Sequence, residues 1–491
     1  MLFYEDTLCA FLKVLAERAP DQPMLGCESG WLTVRQVLER VESGARQLHK
    51  VGIRPGDYLC IPAQRTVNTC VVMLCLQRLG AVAVLTDPRG EAAAQLKSCE
   101  AAIPIKYYLT MNQDVSRPVA TLTSTATGKD LCLSMRKKAA GAEVPPFADA
   151  KAPGFLIFTS GSTGAKKAVM ISQYNLVNDL MDTRELGYYT QDDVALGALP
   201  LDHIFGLVLL AGTMVLGYRL YFPKTTDIPH ILEAVSTQGI TRMNGVPSLY
   251  LAMAAEKEKY DLRSLRAGFI AGGPCTPGQF RYIEEALEMT LIPAYGMSEC
   301  VGITCASYRD PQQVRACGVG RFYPRNTWAI LLEDGGEAAV GQTGEICVDG
   351  PTRMVGYFGD GSPREALFHT GDLGYVDGEG ILHLTGRKKD IIIRNGNNIS
   401  PLVIEDALLS IQGVTAAAVV GLPHPTEGEC PAAMVVCRAE IYQTLPQALG
   451  SRVQKNLVPA LFRRAEALPM TGSGKTDKLR VREMLLQCQG Q

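Results

Sequence analysis

The sequence has no surplus of charge of either sign. Its 48 Lys and Arg residues are balanced by 50 Asp and Glu residues, which leaves a net charge of -2 at pH 7. Domains that bind nucleic acid over an extended surface usually carry a basic excess. The composition therefore gives no indication of a nucleic-acid partner.

Long apolar runs and targeting signals are also missing. The longest apolar run, residues 204–218, contains three glycines and is shorter than the ~20 residues that a membrane-spanning helix needs. The N-terminal segment carries Glu5 and Asp6 early and has no basic stretch ahead of an apolar one, so it lacks the pattern of a signal peptide. We therefore expect a protein that is not integral to a membrane.

Paired cysteine motifs are absent as well. The fifteen cysteines are scattered between Cys9 and Cys488 without any CxxC pair. An odd, dispersed set in a long chain is typical of small buried apolar residues that stay reduced. This usage predicts a cytoplasmic protein.

The sequence does contain a regular alternation of strand-like and helix-like segments. Its 491 residues exceed the size at which one hydrophobic core keeps growing, so two or more domains are expected. Tyr58–Pro62 is β-prone, residues 69–78 have helical apolar spacing, and residues 81–85 form another apolar run. The same rhythm returns at residues 194–199, 268–270 and 291–294. The alternation predicts an α/β protein with buried, largely parallel strands.

The pattern changes at the charged cluster of residues 387–390. A helix-like stretch follows at residues 401–411, and β-prone stretches follow at 416–420 and 432–436. About 100 residues is a common domain size. We therefore predict a large domain over residues 1–386 and a small α+β domain over residues 387–491.

One segment is dense in glycine and hydroxyl residues, comprising Thr159, Ser160, Gly161, Ser162, Thr163 and Gly164, with Lys166 and Lys167 close behind. Glycines let backbone amides approach an anion closely, and hydroxyls and lysines add donors and charge. Residues 155–158 and 169–171 are β-prone, and Ser172 is suited to cap a helix that begins near Gln173. This strand–loop–strand context and the missing G-x-x-x-x-G-K-[ST] spacing distinguish the segment from a Walker A loop.

Together with short motifs downstream, this loop resembles a known family. It is similar to the signature [YF]TSGSTGxPKG of the adenylate-forming superfamily of acyl- and aryl-CoA synthetases, peptide-synthetase adenylation domains and luciferases. Collinear matches continue to the end of the chain, at Pro200-Leu201-Asp202-His203, Tyr295-Gly296-Met297-Ser298-Glu299, Gly344-Glu345-Ile346-Cys347-Val348, Thr370-Gly371-Asp372, Gly386-Arg387-Lys388-Lys389-Asp390 and Pro469-Met470-Thr471-Gly472-Ser473-Gly474-Lys475. The resemblance implies a large N-terminal domain of layered mixed β-sheets with helices and a small mobile C-terminal α+β lid.

The resemblance also implies cofactors and residue roles. ATP and Mg²⁺ would be bound, and coenzyme A would be a co-substrate. The loop from Thr159 to Lys167 would hold the β- and γ-phosphates, and Glu299 would coordinate magnesium. Tyr295 would lie against the adenine, Asp372 would bind both ribose hydroxyls, and Arg387 would reach the ribose or the phosphates. Backbone contacts to the nucleotide are implied for Gly272, Gly273, Pro274, Gly296, Met297 and Ser298.

Lys475 lies in a glycine-flanked segment of the C-terminal region. By resemblance its ammonium would reach the α-phosphate and the carboxylate during adenylation. Lys389 matches the family's hinge position, and the loop that contains Gly396 would line the tunnel for the thiol. One small domain could serve both steps by rotating about Lys389.

The chain departs from the family signature in two places. Lys166 and Ala168 stand where the family has proline and glycine. The loss of proline should loosen the loop, and alanine fits only where φ is negative. Asp202 also replaces the usual apolar or aromatic residue before His203.

The acid pocket is indicated by a PLxHxxG pattern, in which His203 would lie near the point of thiol attack. The other predicted lining residues are Phe205, Asn244, Gly245, Val246, Gly296 and Val301. These stretches contain no arginine clamp for a second carboxylate, which favours a fatty or aromatic monocarboxylic acid over a diacid.

Three functional interpretations stay open. The first is a freestanding acid–CoA ligase, favoured by His203 and by the lack of a carrier domain before Gln491. The second is an acyl-AMP ligase that loads the pantetheine thiol of an acyl- or peptidyl-carrier protein. The third is a non-catalytic nucleotide-binding relative, which the presence of Glu299, Asp372, Arg387 and Lys475 disfavours. The sequence does not indicate an oligomeric state.

Overall fold

The computed structural model describes residues 2–99, 101–111, 120–127, 129–133, 144, 147–160, 166–470 and 476–489. The helices are α1 (Leu8–Arg18), α2 (Val34–Lys50), α3 (Val67–Leu79), α4 (Ala92–Lys97), α5 (Gln173–Glu185), α6 (Ile204–Val215), α7 (Ile228–Gln238), α8 (Pro247–Glu256), α9 (Pro277–Leu287), α10 (Gln312–Cys317), α11 (Pro401–Leu409), α12 (Ala439–Gly450) and α13 (Lys478–Gln489). Short 3-10 helices span Lys257–Lys259, Lys388–Asp390 and Lys455–Leu457.

The strands of the first half are β1 (Pro23–Cys27), β2 (Gly30–Thr33), β3 (Tyr58–Pro62), β4 (Val82–Thr86), β5 (Ile105–Met111), β6 (Ala120–Ser124), β7 (Asp130–Leu133), β8 (Pro153–Ser160), β9 (Lys166–Ser172), β10 (Val194–Leu196), β11 (Arg219–Tyr221), β12 (Arg242–Gly245) and β13 (Ala267–Ile270). Those of the second half are β14 (Thr290–Met297), β15 (Cys300–Cys305), β16 (Arg321–Phe322), β17 (Thr327–Leu331), β18 (Gly344–Asp349), β19 (Gly356–Tyr357), β20 (Phe368–Val376), β21 (Leu382–Arg387), β22 (Ile392–Arg394), β23 (Asn397–Ile399), β24 (Val414–His424), β25 (Gly428–Cys437) and β26 (Leu461–Arg464).

Four sheets organise these strands, and their order confirms the predicted α/β architecture with layered mixed sheets. A nine-stranded sheet has the order β16-β15-β14-β13-β12-β10-β11-β1-β2, and an eight-stranded sheet has the order β19-β9-β8-β4-β3-β5-β6-β7. Strands β17-β18-β20-β21 form a third sheet, and β23-β22-β25-β24 with β26 form a fourth. All strands of the fourth sheet lie beyond residue 391.

Strand direction differs from the expectation of largely parallel strands. Parallel pairing dominates the centres of the two large sheets, as in β10–β12–β13–β14 and β3–β4–β8, and recurs in the fourth sheet between β25 and β26. The sheet of β17, β18, β20 and β21 is antiparallel throughout. No helix lies between these strands along the chain, whereas a parallel pair requires a long crossover connection.

Helices α3 and α5 are buried almost along their whole length. Every residue of α3 from Asn68 to Leu79 is buried, and its side chains join the main apolar core with those of β3 and β4. A separate apolar core, built around Ile404, Val419, Val435 and Leu445, holds the segments beyond residue 391 together. No helix in the described part of the chain is both long and apolar enough to cross a membrane.

The cysteines all lie in the described ranges and are free thiols. Eight of them are buried, among them Cys70 and Cys75 in α3, whereas Cys132 and Cys317 are exposed. The sequence predicted that the cysteines are small buried residues, and this prediction therefore holds for about half of them.

Candidate active site

The predicted phosphate loop connects two adjacent antiparallel strands. β8 ends at Ser160 and β9 begins at Lys166, with Thr159 paired to Lys167 and Ser160 paired to Lys166. β9 runs directly into α5, whose cap is Ser172: its hydroxyl accepts from the Asn175 N–H, and the Asn175 side chain accepts in return from the Ser172 N–H. The strand–loop–strand context and the helix cap are confirmed. The predicted phosphate contacts at Gly161, Ser162, Thr163 and Gly164 lie outside the described residues.

Both departures from the family signature in this loop have a structural explanation. The backbone N–H of Lys166 donates to the Ser98 carbonyl at 2.9 Å. Cys99 and Lys166 thereby form an isolated parallel β-bridge between their backbones. Proline has no N–H and could not form this bond. The bond therefore anchors the start of β9 in a way that proline could not. Ala168 is not among the residues with positive φ and is buried, so alanine fits its position without strain.

A chain of contacts joins the phosphate-loop strand to the predicted magnesium ligand. The Lys167 ammonium lies over the ring of Tyr357, 4.7 Å from its centroid. The Tyr357 hydroxyl donates to Oε1 of Glu299 at 2.9 Å, and Glu299 is buried between β14 and β15. Burial, reinforced by Glu299, raises the pKa of Tyr357, so its hydroxyl keeps its proton and acts as a donor. Pairing of β19 with β9 sets this geometry.

A second group surrounds Asp372. Its Oδ2 accepts from the Tyr295 hydroxyl at 2.7 Å, and its Oδ1 pairs with Nε of Arg387 at 2.7 Å. Asp372 and Arg387 are direct partners in the register of β20 and β21. Burial, followed by the charge of Asp372, raises the pKa of Tyr295. A carboxylate has about four acceptor sites, so Asp372 can still bind a diol beside these two partners.

The predicted adenine and acid-pocket stretches lie next to one another. Gly272, with φ of 82°, approaches the Val246 side chain, and Gly273 lies beside Pro247 at the start of α8. At the end of β12, Asn244 is buried and accepts from the Tyr189 hydroxyl at 2.7 Å.

The remaining predicted pocket residues are placed by packing. Phe205 packs on the cluster formed by Tyr188, Phe269 and Ile292. At Gly296 a Cβ would lie 2.2 Å from the Val301 carbonyl oxygen, so only glycine fits there. Met297 at the end of β14 and Ser298 in the turn that follows are both half-buried.

His203 stands at the head of α6 within a cluster of compensated charges. The Arg89 guanidinium donates to both oxygens of Asp87, with its shortest contacts at 2.9 and 2.8 Å. These hydrogen bonds, with a smaller contribution from His203, lower the pKa of Asp87. Burial and the repulsion of Arg89 lower the pKa of Arg65, whereas Asp202 and Asp87 act in the opposite direction. The negative charge of Asp202 favours the charged forms of Arg65 and Arg89.

The last predicted site residues belong to the C-terminal segments. Lys389 is exposed in the 3-10 helix Lys388–Asp390, directly after β21. Gly396 lies with Asn395 in the turn between β22 and β23, where both residues have positive φ. Lys475 lies outside the described residues, although Met470 and Thr476 on either side of its segment form a bridge.

Sequence reasoning missed three residues of this site. Tyr357, Arg65 and Arg89 lie far from the recognised motifs along the chain. The only signal for Tyr357 was a short β-prone stretch, and the charges of Arg65 and Arg89 could not be assigned to the site before the strand order was known.

Comparisons with known proteins agree with this geometry. The family model for AMP-binding enzymes matches residues 12–358, and the model for the AMP-binding enzyme C-terminal domain matches residues 403–475. A sulfoacetate–CoA ligase of Cupriavidus necator is 30% identical over 513 aligned positions, which cover 97% of both chains. A feruloyl-CoA synthase of Amycolatopsis is 31% identical over 92% of this chain and 93% of that protein.

The fold also matches solved structures. The o-succinylbenzoate CoA synthetase of Bacillus subtilis, in complex with its acyl-adenylate intermediate, superposes with a TM-score of 0.82. The match has 25% sequence identity and covers 96% of this chain and 97% of that one. With these matches spanning nearly its whole length, the chain belongs to the AMP-binding enzyme family.

Proposed function

We propose that this chain is an ATP-dependent carboxylic acid–CoA ligase that forms AMP. In the first step an acid oxygen attacks the α-phosphorus of ATP, the bond to the β-phosphate breaks, and pyrophosphate leaves. In the second step a thiol attacks the acyl carbonyl, the bond to AMP breaks, and the thiol proton is released. The relatives named above carry acid–CoA ligase or synthase names, which supports the same reaction class.

The observation that carries this proposal is the contact chain from Lys167 through Tyr357 to Glu299. It brings a cation of the phosphate loop and a buried carboxylate to one place, as the transfer of a nucleotidyl group requires. A surface loop without function would not need a buried carboxylate held by a tyrosine.

Glu299 fits a magnesium ion by its chemistry. Its carboxylate is buried, one oxygen is oriented by Tyr357, and carboxylate with phosphate oxygens is the donor set that Mg²⁺ prefers. A bound ion would neutralise the charge of the phosphates. Glu299 would hold the ion, and Lys167 with the loop from Thr159 to Gly164 would supply further positive charge and donors.

The nucleotide would lie along the Asp372 group. Asp372 accepts from the ribose hydroxyls, Arg387 exchanges its ion pair for a contact to the ribose or the phosphates, and Tyr295 lies against the adenine. Gly272, Gly273, Pro274, Gly296, Met297 and Ser298 approach the base and the phosphates with their backbones. Lys475 then reaches the α-phosphate during the first step.

A monocarboxylic fatty or aromatic acid is the substrate class we favour. The predicted pocket stretches contain no arginine that could clamp a second carboxylate. Arg65 and Arg89 lie outside those stretches, and the Arg89 guanidinium is already bound by Asp87. The names of a sulfoacetate ligase and an o-succinylbenzoate synthetase among the similar proteins make acids with a second anionic group the alternative to test.

Coenzyme A is the acceptor we favour, with the pantetheine arm of a carrier protein as the alternative. Both present the same thiol, and the turn containing Gly396 would line its path in either case. The domain division at residues 386 and 387, with Lys389 as the hinge, belongs to the same proposal.

The test is ATP–pyrophosphate exchange with a panel of fatty, aromatic, dicarboxylic and sulfonated acids. Product analysis with coenzyme A and with a holo-carrier protein then identifies the acceptor. We expect exchange with at least one monocarboxylic acid, its loss in Lys475→Ala, and an acyl-CoA product. Exchange with no acid would favour the non-catalytic relative instead.

A further inference from the structure

The hairpin turn between β24 and β25 brings three metal-binding side chains together. His424 pairs with Gly428, and Leu422 pairs with Cys430, so His424 and Cys430 are diagonal neighbours on one face of the hairpin. Glu427 lies in the turn itself. One donor atom from each of His424, Glu427 and Cys430 lies within 4.8 Å of the other two.

The distances are close to those of a metal site. The Cys430 thiol donates to Oε2 of Glu427 at 3.4 Å. Donors around a tetrahedral zinc ion, at about 2.0–2.3 Å from the metal, lie roughly 3.3–3.8 Å apart. The cysteine–glutamate edge already has that length, and the histidine needs to move by only about 1 Å in an exposed turn.

We propose that His424, Glu427 and Cys430 bind one thiophilic divalent cation of the zinc type, with a fourth position left to water. Imidazole, carboxylate and thiolate are all zinc ligands, and three protein ligands with one open position is a known zinc arrangement. Hard cations such as Mg²⁺ prefer oxygen ligands only and are not expected here.

Binding the cation replaces a proton. A cysteine thiol that binds no metal is mostly protonated near neutral pH. A bound divalent cation displaces that proton, which leaves to solvent as the metal–sulfur bond forms. One thiolate and one carboxylate then match the double charge of the metal, and Arg394 loses part of its pairing with Glu427.

Arg394 ties the site to a neighbouring loop. Its Nε pairs with Oε2 of Glu427, and its Nη1 donates to the Asn456 carbonyl at 2.8 Å. The N–H of Asn395 donates to the Glu427 carbonyl at 2.8 Å. A cation on Glu427 competes with Arg394 and so acts on the turn that contains Asn395 and Gly396.

The test uses Co²⁺ as a spectroscopic probe on the reduced full chain without chelator. We expect a sulfur-to-cobalt charge-transfer band that saturates at one Co²⁺ per chain and disappears when Zn²⁺ is added. Cys430→Ser should abolish the band, and His424→Ala should weaken binding about ten-fold or more. Cys437→Ser, which changes a partly buried thiol on the same strand, is the matched control and should leave the band intact.

Two results would overturn the proposal: no charge-transfer band at excess Co²⁺, or an unchanged band in Cys430→Ser. Circular dichroism of each variant checks that the hairpin is folded. If Cys430→Ser does not fold, His424→Ala and Glu427→Gln decide, because both residues are partly exposed. Unchanged affinity in both of these variants would likewise overturn the site.

The effect on the loop can be measured separately and rests on the proposed function. Zn²⁺ at stoichiometric amounts should slow acyl transfer to the thiol several-fold while pyrophosphate exchange stays unchanged. This slowing of acyl transfer should vanish in His424→Ala. Because the variant is assayed with the same Zn²⁺ and the same thiol substrate, it controls for binding of zinc to that thiol. Because the cobalt spectrum does not depend on ligase activity, failure of the metal site and failure of the proposed function are distinguishable.

Discussion

Lys166 stands where the family signature has proline, and the bond from its N–H to the Ser98 carbonyl ties the phosphate-loop strand to the end of α4. Lys166→Pro restores the signature residue but removes this bond. A hydrogen bond of this kind contributes about 1 kcal/mol, so we expect a roughly five-fold higher KM for ATP in pyrophosphate exchange. Lys166→Ala is the control, since it removes the charge and keeps the N–H. Equal losses in both variants would mean that the charge matters rather than the bond.

Tyr357 contributes two contacts that a single substitution separates. Tyr357→Phe keeps the ring beneath Lys167 and removes the hydroxyl that donates to Glu299. A hydrogen bond to a charged acceptor contributes about 1.5–3 kcal/mol, so kcat/KM for Mg·ATP should fall by about ten-fold or more. The measurement is exchange activity over a range of Mg²⁺ concentrations. Tyr375→Phe, in a tyrosine stacked on His383, should leave the magnesium dependence unchanged.

At the residue scale, the sequence predicted contacts between residues that are close along the chain. It did not predict contacts between residues that only the fold brings together. The cap of α5 by Ser172 follows from residues three positions apart, and it was predicted. The pairing of Asp372 with Arg387 depends on the register of β20 and β21. Local propensity contains no information on that register, nor on the charge balance between Arg65 and Asp202.

Helix α7 begins at a cap whose charge can be titrated. The Asp227 side chain accepts from the His230 N–H at 3.1 Å, and hydrogen bonds from Thr225 and His230 lower its pKa to about 2. Because the folded state holds this proton less tightly than the unfolded state, the stabilisation is present above pH 4. It is lost as the pH falls from about 4 to about 2.

Asp227→Ala should therefore lower the urea midpoint at pH 7, and the difference from the unsubstituted chain should shrink at pH 3. Asp227→Asn is the control, because asparagine also caps helices but does not titrate. The difference between the Asn and Ala variants should stay constant with pH. If the urea midpoints of the unsubstituted chain and Asp227→Ala differ by the same amount at pH 7 and pH 3, the ionised Asp227 side chain does not stabilise the helix.

At the element scale, the existence of a segment and its type, helix or strand, could be predicted from the sequence. The direction of a strand relative to its neighbours could not. Tyr58–Pro62 and residues 69–78 were recognised from apolar period, and the structure has β3 and α3 there. The antiparallel sheet of β17, β18, β20 and β21 was not foreseen, because the apolar pattern along one strand does not reveal the direction of its neighbour.

At the scale of the whole molecule, the segments on either side of the 3-10 helix Lys388–Asp390 have separate apolar cores. The fourth sheet packs on its own helices, α11, α12 and α13, through clusters that contain only residues beyond 391. Contacts across this point include the ion pair of Lys388 with Glu345 at 3.0 Å, which is exposed on the lysine side. The Ser400 hydroxyl also donates to the Thr385 carbonyl. Rotation of the small domain about this connection is part of the function proposed above.

Lys389→Pro tests that rotation. Proline fixes φ near -65° and so removes the freedom that a hinge needs. If one arrangement of the small domain serves adenylation and another serves thiol attack, the variant should keep pyrophosphate exchange within about two-fold and lose roughly 100-fold in thioester formation. Lys389→Ala, which keeps the freedom of φ, should retain both half-reactions. Equal losses of the two half-reactions in the proline variant would show that Lys389 acts on the site itself, and the proposal of a hinge would then fail.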